Sequence, residues 1–162
     1  MSIEHFEGKN SGGIKELHLL KKSSASFPVP PSLLADLLYT DNITTTENWQ
    51  TVNPLPNSGL FNENASTPDG AEIYDYQVEF VINKDLAAVT AAFKDKLNLN
   101  LLVLVVDNNG LTRLLGSDEH HCFLSYSQVK ERGIAKPNLY RVTLTCTMSH
   151  PAVYYSGTYT SS

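Results

Sequence analysis

The residues best equipped for chemistry stand together in "SDEHHC", Ser117 to Cys122. Asp118, Glu119, His120, His121 and Cys122 all carry groups that ligate metals or move protons. Their adjacency works against a shared site. On a strand, neighbours point to opposite faces, so only His120 and Cys122 would share a side. Zinc sites draw their ligands from separate segments, or from pairs with two to four residues between them. His150 or Cys146 would have to complete such a site, and nothing in the spacing requires it. The stretch reads as a polar turn entering a strand. A metal-dependent enzyme would need His120, His121 and His150 together.

Cys122 and Cys146 are the two cysteines of the chain. Two thiols make no disulfide framework. In a reducing compartment they read as small core hydrophobes, whether or not their strands are neighbours. A nucleophilic cysteine needs a histidine bonded to it, and standing next to His121 in sequence is no such bond. "DNNG" (107–110) lacks the further acidic positions and the closing Glu of a calcium loop, so it reads as a hairpin turn. The aromatic run "HPAVYYSGTY" (150–159) has no interleaved Lys or Arg, as a base-stacking platform would require. It reads as a tail packed on the domain or on a neighbour. No phosphate loop, nucleophile elbow or HExxH pattern occurs. The sequence therefore assigns no catalytic, cofactor-binding or metal residue, and the expectation is a protein that is not an enzyme and carries no cofactor.

The elements that would position these side chains follow from periodicity. Residues 1–13 are polar and end in "SGG", a flexible lead-in. "IKELHLL" (14–20) alternates as a strand, and the prolines of "KKSSASFPVPP" break the pattern. In "SLLADLLYT" (32–40), Leu33, Leu34, Leu37 and Leu38 at helical spacing predict a short helix with Ser32 as N-cap. From Asp41 to Gly70 nothing is periodic, and 53–70 reads as a long loop or arm. A strand is expected over 72–82, with Tyr74, Tyr76, Val78, Phe80 and Ile82 inward and Asp75, Gln77 and Glu79 outward. The segment 83–98 predicts the main helix, capped by Asp85, with Leu86, Val89, Phe93 and Leu97 as one stripe.

Leu101 to Val106 is apolar without interruption, so both of its faces must be covered. The main helix would lie across one of them. Asn109-Gly110 suits a type I′ turn, and Leu111 to Leu115 returns. Strands are expected at 120–127 and 139–149, with a polar loop (128–138) between. In the last strand Tyr140, Val142, Leu144, Cys146 and Met148 face one way and the threonines the other. The sum is an α+β fold: an antiparallel β-sandwich or partly open barrel with one main helix, a single domain over 14–162.

Composition narrows the functions. The chain has 162 residues, a net charge of −5 and 18% charged residues. The last figure lies below the ~25% of ordinary domains, so the surface must be Thr-, Ser- and Asn-rich or partly hidden by partners. A negative chain lacks the cation surplus of a general nucleic-acid binder. No stretch reaches the ~18 apolar residues of a bilayer span. The start, "MSIEHFEGKNSGG", lacks the pattern of a secretory signal.

Three stretches resemble small virion proteins of tailed phages and prophages, notably tail-tube, tail-terminator and connector proteins. They are "GGIKELHLL" (12–20), the hairpin "VVDNNGLTRLLGSDEHH" (105–121) and the Thr-rich "YRVTLTCTMSHPAVYYSG" (140–157). The resemblance implies a structural virion protein, assembled in the bacterial cytoplasm, that forms homo-oligomeric rings or tubes in the tail or head–tail connector. Other tail or connector proteins would be its partners, with no membrane and no specific nucleic acid. It implies that a neighbouring copy covers part of the apolar sheet, that 53–70 is an inter-subunit arm, and that negative charge suits a lumen passing DNA. It implies no catalytic residue. The alternative is a small-ligand-binding β-barrel or sandwich, which needs an apolar cavity with a few convergent polar groups.

Overall fold

The computed structural model describes residues 12–83, 86–130, 132–133 and 138–161. Most of the lead-in, and Asp85 with its capping role, lie outside these. In chain order the strands are β1 (Ile14–Lys21), β2 (Ala25–Ser26), β3 (Leu38–Tyr39), β4 (Thr44–Thr45), β5 (Gln50–Val52), β6 (Leu60–Ser66) and β7 (Ile73–Ile82). Helix α1 (Ala87–Lys96) follows, then β8 (Leu101–Asp107), β9 (Thr112–Leu115), β10 (Cys122–Val129), β11 (Leu139–Met148) and β12 (Val153–Tyr155).

Among the described residues, ten strands make one mixed sheet in the order β3-β12-β9-β8-β10-β11-β7-β6, with β1 on the other edge of β8 and β5 beyond it. The sheet is strongly folded but not closed into a barrel. The fold is thus α+β and sandwich-like, as the periodicity predicts. Its corner is narrow: β10 touches β8 only where Cys122 faces Leu101. Gly116 makes the turn into that corner at φ 98°, and a Cβ there would sit 2.6 Å from Leu102 Cδ2. Only glycine combines that dihedral with that contact.

The apolar run of β8 is sealed on both faces by this same chain. Leu101, Val103 and Val105 point into the main core, with Leu17 and Leu19 of β1, Val78 and Phe80 of β7, and Val142 and Leu144 of β11. Leu102 and Leu104 point into a second core of Tyr39, Ile43, Trp49, Leu114, Val153 and Tyr155. The first three of those come from the segment between β2 and β5, and the last two from β12. The cover expected from a neighbouring copy is supplied internally. The aromatic tail supplies it by packing home: Trp49 N–H donates to Thr160 O at 2.9 Å, and the buried Tyr155 hydroxyl donates to Thr158 O and receives Ile43 N–H.

Four local expectations are corrected. Residues 32–40 form no α-helix. Pro31–Leu33 is one 3-10 turn, Leu37 takes a φ of 59°, and Leu38–Tyr39 pairs in parallel with β12. The four leucines share no buried stripe, since Leu33 is 73% exposed, and Asp36 Oδ1 accepts the Leu38 N–H that a helix would use internally. Within the supposed loop 53–70, Leu60–Ser66 pairs with β7 over its whole length, Leu60 opposite Glu79 and Ser66 opposite Ile73. Both its faces are largely wet, so it shows no apolar alternation. The segment belongs to the chain's own sheet and is not a free arm.

The helix is shorter than its pattern and lies elsewhere than expected. Phe93 packs at a tilt against Tyr126 of β10 and Tyr140 of β11, each with ring centroids 5.6 Å apart, and the Thr90 and Tyr140 hydroxyls bond. Val89 and Leu97 pack on the same core, whereas Leu86 is exposed. Finally, the β8–β9 turn is not type I′, which needs positive φ at two central residues. Of its residues, Gly110 takes positive φ (84°) and Asn109 does not. Gly110 N–H donates to Asp107 O and Asp107 N–H to Leu111 O, a three-residue loop with glycine in its left-handed place. The Asp107 carboxylate receives the N–H groups of Asn109 and Leu111.

Candidate functional site

The histidine cluster does not assemble. His120 and His121 lie just before β10 rather than in it. His121 packs edge-on against Phe123, while His120 lies beside His150, ring centroids 5.7 Å apart. Ser149 N–H donates to His120 Nε2, so that nitrogen offers no lone pair to a metal. His150 Nδ1 sits 2.9 Å from Pro151 O and must donate to it. Among the described residues, no group of three or more His, Cys, Asp or Glu is placed to hold a metal ion. Cys122 and Cys146, by contrast, are directly opposite each other on β10 and β11, buried and reduced.

A second polar cluster carries no signal in the sequence. Arg113 of β9 lies between Val105 on β8 and Tyr154 on β12. Its Nη2 donates to Glu63 Oε2 and to Ala152 O, each at 3.0 Å. The guanidinium stands over three rings, 4.9 Å from the centroid of Tyr154, 5.4 Å from Phe61 and 5.9 Å from Tyr76. The Tyr76 hydroxyl donates to Glu63 Oε2 at 2.9 Å and accepts Ala152 N–H at 2.7 Å. Burial, reinforced by the Glu63 carboxylate, holds that hydroxyl protonated far above its ordinary range. Arg113 Nε is buried without a partner among the described residues. Fifty residues separate Arg113 from Glu63, and the contact exists only because the folded sheet brings β9 towards β6.

This junction ties the last strand of the sheet to the body. Phe61 and Glu63 face inward onto Arg113. On its other edge β6 pairs with no strand among the described residues. Natural monomers blunt such edges with lysine, proline, bulges or inward-pointing charges. In "LFNENAS" there is no lysine, proline or bulge, and the single charge, Glu63, points inward and is engaged by Arg113.

Beside the junction lies an open cleft of about 360 Å³, lined by Ile14, Leu60, Phe61, Leu111, Arg113 and Tyr154 among others. Leu60, Leu111 and Tyr154 are 45%, 53% and 37% exposed, so its rim is greasy. Gly59 is required at its wall, since a Cβ there would lie 2.7 Å from Ile14 Cβ. A larger hollow of about 670 Å³ against β7, β10 and β11 is lined by Glu79, Ser125, Thr143 and Arg141 together with Val81 and Tyr126, and is open and mixed in polarity. Of the two, the Arg113 cleft has the mainly apolar lining with a few polar groups that ligand sites show.

Compared with known proteins, the chain matches no family model, no curated protein and no solved structure. No helix among the described residues is long and apolar enough to cross a membrane.

Proposed function

We propose that this chain is a structural assembly protein of the tailed-phage or prophage virion kind, which builds homo-oligomeric rings or tubes by continuing its sheet through β6 into a second copy. One observation carries the reading: a seven-residue edge strand whose outer row of backbone donors and acceptors has no strand partner among the described residues. Strand addition would satisfy that row, and the exposed Leu60 beside it would add apolar contact. The low overall charge and the three resembling stretches supply the virion setting. Uncovered sheet faces play no part, because both faces of β8 are sealed within one chain.

The test is the oligomeric state. Light scattering across a concentration series, with negative-stain micrographs of the most concentrated sample, should show defined rings or tubes. Lysines at Asn62 and Asn64, which face outward, should shift the population to monomer with an unchanged circular dichroism spectrum. A wild-type chain that stays monomeric at every concentration and leaves no particles on the grid overturns the reading.

The Arg113 cleft favours a second reading, a binding protein for a small, mostly apolar ligand that carries a hydrogen-bond acceptor for the arginine. Binding of an environment-sensitive apolar dye that is lost in Leu111→Asp, while the fold is kept, would favour it. Equal binding by both proteins would dismiss it.

A further inference from the structure

We propose that Cys122 and Cys146 form a redox-modification site, a thiol pair that closes into an intrachain cross-strand disulfide when the folded protein meets a low-molecular-weight disulfide such as glutathione disulfide. The geometry carries the inference. The two residues are register partners on β10 and β11. Directly opposed residues of an antiparallel pair have Cα atoms ~4.5 or ~5.5 Å apart, within the ~4.4–6.8 Å that an unstrained disulfide spans. Both are buried and reduced. Both side chains point into the main core, on the same face of the sheet.

Position supplies the route. Cys122 is the first residue of β10, at the narrow corner where that strand meets Leu101 of β8. Cys146 is two residues from the end of β11. Strand ends open locally at lower cost than strand centres, so a small oxidant gains entry without global unfolding. One thiolate attacks glutathione disulfide, forms a mixed disulfide and expels one glutathione thiolate. The second protein thiolate attacks the protein sulfur of that mixed disulfide and expels the other glutathione. The Sγ–Sγ bond forms, the protein loses two protons and two electrons, and one glutathione disulfide becomes two glutathiones. Burial and the neighbouring sulfur push the Cys122 thiol up, so closure quickens as pH rises. The bond would staple β10 to β11 at the fold's corner.

The experiment uses the full chain, folded, incubated to equilibrium with glutathione disulfide and analysed by intact mass. Expected is a monomer lighter by two hydrogens. After denaturation it takes up no alkylating reagent, and dithiothreitol restores two alkylatable thiols. Its circular dichroism spectrum should be unchanged and its Tm raised. Cys122→Ala and Cys146→Ala, which remove one partner with little loss of packing, should each be unable to make the lighter species. Retention of both thiols, a protein carrying glutathione as the end product, a disulfide-linked dimer, or an oxidised chain that has lost its fold would each overturn the proposal.

Discussion

β8 and β6 lie in one sheet and pose opposite problems. β8 is apolar from Leu101 to Val106 and needs shelter on two faces. β6 is polar from Asn62 to Asn64 and needs little shelter, yet among the described residues leaves a ladder of backbone groups open along one edge. The strand that looks adhesive is finished within the chain, and the strand that looks inert is unfinished. Apolar side chains report what must cover a face. They say nothing about an edge, where the demand comes from main-chain N–H and C=O groups that every sequence carries.

Substitutions can break this contrast. The largest effect belongs to β8. Leu104 is wholly buried in the second core, and Leu104→Ala should lower unfolding stability by about 3 kcal/mol in urea titrations, through lost transfer energy plus a cavity. Gly116→Ala comes next, at about 2 kcal/mol for a left-handed dihedral held by a non-glycine residue, with more if Leu102 cannot move aside. Unchanged melting in either variant would contradict the sealed corner described above.

At the junction, Arg113→Ala removes an ion pair that is partly open to solvent, together with three ring contacts. It should cost about 1 kcal/mol. Its sharper signature should be faster hydrogen exchange in the amides linking β6 to β7, with β8 unaffected. Equal acceleration in both strands would mean that β6 is not separately anchored.

A pH series should separate the two regions further. His18 of β1 pairs with Leu104 and is buried beside Tyr159 and Thr51. Burial lowers its pKa despite Glu16 nearby. The His120 pKa is also lowered, by burial and then by His150. With folded pKa values below the unfolded ~6.5, the unfolded chain binds more protons once pH falls through that value. Stability should therefore hold above pH ~6.5 and decline below it. The slope should be shallower in His18→Gln, measured as Tm against pH. The smallest effect on folding belongs to Leu60→Lys on the edge strand, within about 0.5 kcal/mol. Its effect on light scattering should nonetheless exceed that of any β8 variant that still folds.

Long periodic segments were legible without coordinates. The alternation from Tyr74 to Ile82 and from Tyr140 to Met148 requires one buried and one wet face, and both strands have them. The stripe of Val89, Phe93 and Leu97 requires a helix with one side on a core, and it sits so. The unbroken apolar run of β8 requires cover twice over. These follow from local chemistry, because side-chain polarity is a property of the residue and its period is a property of the backbone.

Tertiary structure decided what polarity does not encode. It made a strand of Leu60–Ser66, because β7 had a free ladder to offer it. It denied Leu33–Leu38 a helix, because Asp36 and β12 claimed the backbone groups first. It set Arg113 over three aromatic rings and against Glu63, and Cys122 against Cys146, while parting His121 from His120. Apart from the local Asp36 bond, these depend on which residues distant in sequence become neighbours, and pairing partners and register are set by the whole chain together.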